Sequence, residues 1–345
     1  MWQAITNMLY GTLPVRPRFI TGGNLIDINS DETAPTPNRL PTAPKETTNP
    51  EDGPYKPSVV DVLVVKVMLN KALSFPPEII DVVIDLAEYW PCRTVEVNFG
   101  DDSPETVRGR HGPIDDTLED KFVIRTPPLA LQKWGNQEIY RRDVPPKKYG
   151  GEWSAEDFQD LTASPTTSVA HPCRRIVFTI SSHDQGWGGR WADDDENGPY
   201  NESWTWFEAG LERFCREENY EKPTLAVEDI RSIFPEVEWD SEKSEGKYVF
   251  PLFPSDDQKI QANITSDHVF THHRIVWDYK DDVAPEKDSE AATKLEKSGR
   301  GKATGNGKFV RELRIGDMVT VWAKARFPAW VNFISSVKVE VYWAI

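Results

Sequence analysis

Tryptophan, glycine and acidic residues are concentrated in one stretch of the chain, residues 181–208. Four of the thirteen tryptophans lie in it, around several glycines and the acidic run from Asp193 to Glu196. Tryptophan is costly to expose, whereas Gly and Asp are typical of loops, so the mixture predicts a structured loop with a shaped, partly buried surface. The stretch therefore indicates a functional site more than a core, although it names no reaction.

A second aromatic segment, residues 327–332, lies close to the end of the chain. Flat aromatic rings with a few polar anchors bind both sugars and peptides. We expect the two segments to fold together into one ligand site; the alternative is that the rings only fill a β-sandwich. The predicted ligand-binding residues are His183, Asp184, Gln185, Trp187, Trp204, Trp206, Trp322, Trp330 and Asn332.

Histidines supply the next candidates for catalysis or metal binding. A carboxylate can orient an imidazole, so His183 followed by Asp184 could be a catalytic or metal-binding pair. Adjacent residues at a strand end point in different directions, however, and both types tie down loops through backbone hydrogen bonds. We favour this structural role and assign no catalytic residue. On a predicted strand, His268, His272 and His273 lie too far apart or on opposite faces to share one metal.

The acidic run also contains a partial calcium motif. Asp193, Asp195 and Asn197 alternate and are followed by Gly198, as in the first half of a calcium-binding loop. Trp204 occupies the twelfth position, where an EF-hand needs a bidentate acid, so an EF-hand is excluded. A looser calcium site remains as an alternative to a solvated acidic turn.

The bulk properties narrow the class of protein. The chain has 345 residues and a formal net charge of −16, which argues against nucleic acid as the main partner. No apolar stretch reaches the length of a membrane span. Three widely spaced cysteines are typical of an intracellular protein with reduced thiols, so we expect a cytoplasmic or nuclear location, with a mitochondrial address as a less favoured alternative.

Three regions follow one another along the chain. Residues 1–57 include a proline-rich stretch with few large apolar residues, which predicts a disordered or extended segment. Residues 58–92 predict a pair of short helices that pack on the main domain. The first begins with a capping box at Ser58 and Asp61, and the second begins at Pro76-Pro77.

Residues 93–345 show period-two patterns separated by long polar insertions. No strand-helix alternation recurs, so we predict a mainly β fold: an antiparallel β-sandwich of the jelly-roll or galactose-binding type. The predicted strands are Thr94 to Phe99, Phe122 to Thr126, Arg175 to Ser182, Lys247 to Phe253, His268 to Tyr279, Lys308 to Leu313, Met318 to Phe327 and Val331 to Trp343.

Three motifs together carry a family resemblance. Residues 182–189 read SHDQGWGG, residues 203–208 read SWTWFE and residues 321–332 read VWAKARFPAWVN. In this combination the chain resembles a group of uncharacterised fungal proteins over residues 58–345. The resemblance implies an intracellular fungal protein and supplies no catalytic residues.

The second predicted helix also resembles the opening of an F-box. An F-box begins with Leu-Pro-x-Glu, and the corresponding residues here are Phe75-Pro-Pro-Glu78, with Phe75 in place of the leucine. The chain also departs from an F-box at Arg93, because strand-like sequence begins there and an F-box would continue with further helices.

The leading hypothesis is a non-enzymatic binding module with a protein or carbohydrate ligand. Two alternatives are a carbohydrate-active hydrolase that uses loop acids and a ubiquitin-ligase adaptor that uses the helix pair.

Overall fold

The computed structural model describes residues 55–110, 119–131, 143–151, 153, 158, 165–188, 198–215, 227–284 and 289–345. They belong to one compact unit, Pro54–Ile345. The helices of the described part are α1 (Val59–Leu73), α2 (Pro77–Leu86), α3 (Glu290–Lys297) and α4 (Lys308–Glu312). The strands are β1 (Cys92–Asn98), β2 (Glu105–Arg108), β3 (Asp120–Arg125), β4 (Cys173–His183), β5 (Thr205–Phe214), β6 (Ile230–Phe234), β7 (Glu236–Asp240), β8 (Glu245–Val249), β9 (Lys259–Ala262), β10 (Thr271–Asp278), β11 (Met318–Ala325) and β12 (Val331–Trp343).

Two antiparallel sheets account for most of these strands. Sheet A has the order β1-β12-β4-β10, and β2 pairs with the first residues of β12. Sheet B has the order β3-β11-β5-β6, and β9 also pairs with β5. A separate hairpin joins β7 and β8. The prediction of a mainly antiparallel β-sandwich is confirmed.

The core lies between the two sheets. On β11, Val319, Val321, Ala323 and Ala325 are buried in one cluster with the apolar face of β12. Strand alternation places every second side chain on this inner face. Each aliphatic side chain of valine size buried in this way contributes roughly 1.5–3 kcal/mol.

The outer face of sheet B is covered as well. Thr320, Trp322 and Lys324 alternate with the core residues of β11, yet each is at most 3% exposed. The β7–β8 hairpin and the residues after it provide the cover, because Tyr248 and Phe250 pack on Trp322 with ring centroids 5.3 and 5.4 Å away. Polar side chains are thus held in a second buried layer, outside the core.

The helix pair packs at one end of sheet A. Ser58 and Asp61 form the expected capping box at the start of α1. Buried Val62, Ile80 and Ile84 form a small cluster with the C-terminal Ile345 as a neighbour. Among the described residues, no helix is long and apolar enough to cross a membrane.

Part of the helix surface is apolar and exposed. Val60, Val64 and Val67 of α1 and Val82 and Leu86 of α2 are between 50% and 62% exposed, and we call these five residues the helical face. The three valines follow the i, i+4, i+7 spacing of one side of a helix, opposite the packed Val62. The helix pair is therefore apolar both toward the sandwich and away from it.

One predicted strand is wrong. Lys308 to Leu313 was assigned to a strand, whereas Lys308–Glu312 is the helix α4, entered through the left-handed Gly307. Val310 and Leu313 are both buried, at a spacing of three residues. A run of six residues is too short for its apolar period to separate a helix from a strand.

Several elements lie where polar insertions or loops were expected. Strand β2 lies in the polar insertion between the predicted strands Thr94 to Phe99 and Phe122 to Thr126. Helix α3 lies in the insertion between the predicted strands His268 to Tyr279 and Lys308 to Leu313. Strand β5 is the most consequential, because it contains Trp206 and the other residues at the end of the tryptophan-rich stretch that sequence reasoning assigned to a loop.

Candidate functional site

The two aromatic segments meet at one end of the sandwich. The residues after β4 and before β5 lie against the turn that joins β11 to β12, and together they enclose a recess of about 250 Å³. We call it the loop recess. It is lined by Gln185, Trp187, Gly188, Glu202, Trp204, Pro328, Ala329 and Trp330. Four of the nine predicted ligand-binding residues therefore share one recess.

Gln185 ties the two segments together. Its side-chain Nε2 donates to the backbone oxygen of Trp187 at 2.6 Å. Its Oε1 accepts from the backbone N–H of Val331 at 3.1 Å. One amide thus holds the Trp187 turn against the start of β12, which fixes the width of the recess.

Asp184 lies behind the recess, where its carboxylate holds the backbone of two segments. It is 0% exposed, and its carboxylate accepts from the backbone N–H groups of Gly186 and Ser266, each at 2.7 Å. Burial raises the pKa of Asp184, and these backbone hydrogen bonds oppose the rise. The carboxylate therefore joins the turn after β4 to the residues before β10.

His183 does not pair with that carboxylate. Its Nδ1 lies 2.5 Å from the backbone oxygen of Asp184, and its ring stacks on Phe333 at 4.7 Å. Phe270 packs edge-on against the same ring at 4.5 Å. The imidazole is thus enclosed by aromatic rings and oriented by a backbone oxygen, which agrees with a structural role.

Asn332 joins the two sheets beneath the recess. It is 0% exposed, and its Nδ2 contacts the backbone oxygens of Trp206 and Lys324, both at 3.3 Å. Its Oδ1 accepts from Asn263 at 3.0 Å, and Asn263 in turn accepts from Ser182 at 2.6 Å. A buried amide network of this kind rigidifies the end of the sandwich that carries the loops.

The rings of the loop recess are supported from one side and open on the other. Trp204 packs edge-on against Phe327 at 4.5 Å and contacts Phe253 at 5.9 Å. Trp187, by contrast, is 60% exposed. A recess of about 250 Å³ is below the 300–1,000 Å³ typical of drug-sized ligands, so it fits one side chain or one ring.

Unusual backbone conformations cluster around the recess. Glu202, Phe327 and Ala329 have φ angles of 57°, 65° and 75°. A left-handed backbone is costly for a residue with a Cβ, by the order of 1 kcal/mol or more each, and it persists where the surroundings enforce it. Such strain is concentrated at ligand sites in many proteins, so its presence here supports a functional role for these loops.

Trp206 and Trp322 lie elsewhere, on the outer face of sheet B. They share that face because Trp206 pairs with Lys324 and Trp322 pairs with Glu208 across β5 and β11. The Nε1 of Trp206 donates to Glu208 at 2.9 Å, and the Nε1 of Trp322 donates to Thr320 at 3.0 Å. Both rings are therefore held by internal hydrogen bonds and take no part in the loop recess.

A buried group of charges accompanies these two rings. The Lys324 ammonium lies 2.8 Å from Asp120 and 3.1 Å from Glu208, and the guanidinium of Arg326 lies 2.8 Å from Asp120. We call these four residues the charge network. Sequence reasoning missed it, although the polar alternation of β11 was a signal that this face is not core.

The candidate calcium ligands Asp193, Asp195 and Asn197 lie outside the described residues. Within the part of the chain that is described, no group of three or more His, Cys, Asp or Glu side chains is arranged to hold a metal ion. The calcium site therefore stays a prediction.

Comparison with protein-family models gave no match, and neither curated proteins nor solved structures gave a significant one. The resemblance to fungal proteins thus stays a prediction from the three motifs.

Proposed function

We propose that the protein is a binding module whose loop recess receives one cationic side chain of a partner polypeptide. The convergence of Trp187, Trp204 and Trp330 with Glu202 in a recess of about 250 Å³ carries this proposal. Indole faces attract cations, and a carboxylate beside them adds a direct charge contact. The negative net charge of −16 also favours encounter with basic partners.

The polar lining favours a cation over a neutral ligand. The Nε2 and Oε1 of Gln185 already form hydrogen bonds with the backbones of Trp187 and Val331, so this side chain has less hydrogen-bonding capacity left for a ligand. Glu202 is then the principal polar group of the described lining, and it can only accept when ionised. Lysine and arginine side chains supply donors, positive charge and a size that suits the recess.

The test uses lysine- and arginine-containing peptides as probes, with the same peptides carrying norleucine or citrulline as neutral controls. Cation–π contacts contribute about 0.5–2 kcal/mol, so Trp187→Ala should weaken binding by about 2- to 30-fold. Glu202→Gln should also weaken peptide binding, and the difference from the unchanged protein should be larger at low salt, because the lost contact is ionic. Trp239 lies outside the recess, so Trp239→Ala is the matched control for the loss of a tryptophan and should leave peptide binding unchanged.

Titration calorimetry and tryptophan fluorescence would measure these affinities. Equal binding of the cationic and neutral peptides, or a Trp187→Ala variant that binds like the unchanged protein, would refute the proposal.

A second function is favoured by the helical face. Five exposed aliphatic side chains on two packed helices offer the kind of surface that a partner protein covers. The F-box-like opening suggests that the protein is a ubiquitin-ligase adaptor, and that the partner is another subunit of the ligase. Sedimentation of the purified pair should show a complex. Val64→Asp should abolish this complex, and Trp187→Ala, outside the helical face, should leave it intact. The absence of a complex with the unchanged chain would reject this function.

A further inference from the structure

Hydrogen-bond acceptors are scarce in the described lining of the loop recess, because much of its backbone is already paired. Four carbonyl oxygens of the lining accept an internal hydrogen bond, those of Trp187, Gly188, Trp204 and Trp330. The oxygen of Trp204 accepts from the backbone N–H of Arg326 at 2.9 Å. The oxygen of Trp330 accepts from the backbone N–H of Gly109 at the same distance. A ligand in the recess therefore finds little backbone to donate to.

The side chains of the lining add rings but few acceptors. An indole has an N–H donor and no acceptor, so the three tryptophans offer a ligand their ring faces. The amide of Gln185 is engaged by the backbones of Trp187 and Val331. Glu202 is exposed beside them, and its carboxylate is the main acceptor that the described lining presents to a ligand.

Methylation changes what an ammonium group needs from such a recess. Lysine enters with several N–H donors and a tightly held hydration shell, and arginine enters with more donors still. One carboxylate cannot satisfy all of them, and each donor left unpaired away from water costs free energy. A methyl group replaces an N–H but keeps the positive charge, so a trimethylated ammonium has no donor to satisfy. Its charge still attracts the indole faces, as in the aromatic cages that bind such groups in other proteins.

The rings of the recess are placed to receive a compact cation. Trp204 and Trp330 are half-buried, and Trp204 is held edge-on against Phe327 at 4.5 Å. Trp187 is 60% exposed, which places it at the mouth of the recess. The volume of about 250 Å³ suits the head of one side chain and the methylene groups next to it.

We propose that the loop recess binds a methylated lysine of the partner polypeptide, with the methylammonium group against the three indole rings and its charge balanced by Glu202. This inference rests on the function proposed above, because it names the cationic side chain that the recess selects. Trimethyllysine binds most tightly, since it combines the positive charge with the fewest donors.

The test titrates the full chain with a series of short, capped peptides that differ at one central residue. That residue is lysine, its mono-, di- or trimethylated form, or the carbon isostere in which a tert-butyl group replaces the trimethylammonium. Calorimetry should show an affinity that rises with each methyl group, by at least about tenfold from lysine to trimethyllysine. The carbon isostere should bind about 2- to 30-fold more weakly than trimethyllysine, because it lacks the cation–π contact.

Two variants separate the rings from the carboxylate. Trp187→Ala should reduce the preference for trimethyllysine over lysine, because the methylated group depends on the rings. Glu202→Gln should increase that preference, because unmodified lysine also loses a hydrogen-bond acceptor. Trp239→Ala, outside the recess, should leave every affinity unchanged. A variant that only loosened the fold would weaken all the peptides alike.

The outcomes distinguish this inference from the function on which it rests. Equal affinities for lysine and trimethyllysine, both above that of the carbon isostere, would overturn the methyl preference and leave the cationic recess standing. A carbon isostere that bound as tightly as trimethyllysine would overturn both. Binding of none of the peptides at millimolar concentration, by protein shown to be folded, would do the same. Free choline that bound as tightly as the trimethyllysine peptide would make the ligand a small molecule and reject the polypeptide partner.

Discussion

Replacing Lys324 by methionine would test whether the charge network stabilises the outer face of sheet B. The Lys324 side chain is 2% exposed and its ammonium contacts Asp120 and Glu208 at 2.8 and 3.1 Å. Removing one partner of a buried ion pair leaves an uncompensated charge and costs about 3–5 kcal/mol. Glu208 also accepts from Trp206 and from the backbone of Ser255, each at 2.9 Å, which places the expected loss near the lower value.

Urea unfolding at neutral pH, followed by circular dichroism, would measure this loss. The free energy of unfolding of a natural protein is about 5–15 kcal/mol, so a loss of this size should make the variant unfold at a clearly lower urea concentration. Lys308→Met is the matched control, because that side chain is 67% exposed and its pair with Glu312 spans 4.0 Å. An exposed pair of this kind contributes about 0–1 kcal/mol.

The double variant Lys324→Met, Glu208→Gln separates charge from packing. Removing this acid together with the base should recover part of the loss, since the charges that stay buried, Asp120 and Arg326, are still paired with each other. If Lys324→Met were no more destabilising than Lys308→Met, the network would be solvated in solution and the buried polar layer described above would be wrong.

Three further outcomes follow from individual side chains. The pKa of Asp143 is raised to about 6, first by desolvation and then by Glu212, so the folded state holds a proton that the unfolded chain releases near pH 4. Stability should therefore fall as pH rises from about 4 through about 6, and Asp143→Asn should flatten this part of the profile in urea unfolding across pH; an unchanged profile would contradict the raised pKa. Burial raises the pKa of the Cys173 thiol to about 12, so a thiol reagent should modify it only after unfolding, and rapid reaction of the native protein would contradict this. Gln185→Ala removes the side-chain hydrogen bonds between the aromatic segments, so it should lower the free energy of unfolding by about 1–3 kcal/mol, measured by thermal unfolding. It should also weaken peptide binding at the loop recess. A loss of stability with unchanged binding would show that Gln185 does not determine the shape of the recess.

Local patterns foretold the parts of the fold that depend on neighbours in sequence. The capping box of α1, the proline start of α2 and the alternation along β11 each follow from residues within a few positions of one another. The approach of the two aromatic segments was also expected, because both combine tryptophans with polar residues that could serve as anchors for a ligand. The short helix α4 was not, since a run of six residues fits two periods equally well.

Long-range partners could not be read from the chain. Trp206 and Trp322 were grouped with the loop tryptophans, although strand alternation turns them to the outer face of sheet B. Polar residues on that face indicated solvent, and the β7–β8 hairpin that covers them lies far from β11 in sequence. Asp120 and Lys324 are likewise separated by 204 positions, so neither predicts the other. The charge network is a product of topology and not of any motif.

Arg326 links the charge network to the loop recess through a single residue. Its side chain bonds Asp120 at 2.8 Å, while its backbone N–H donates to the backbone oxygen of Trp204 at 2.9 Å. The next residue, Phe327, adopts the left-handed backbone and packs on the Trp204 ring. A change in the network should therefore reach the recess without any contact to its ligand.

Arg326→Lys keeps the positive charge but cannot reproduce the planar set of donors that reaches Asp120 together with the backbone oxygens of Glu119 and Pro251. In protein labelled with 5-fluorotryptophan, this variant should shift the fluorine resonance of Trp204 and leave that of Trp90, which lies between α2 and β1, in place. Coupling of this kind is worth about 0.5–2 kcal/mol, so peptide affinity should change by about 2- to 30-fold. A Trp204 resonance that did not move would mean that the loops themselves hold the recess, and that the charge network and the loop recess are independent.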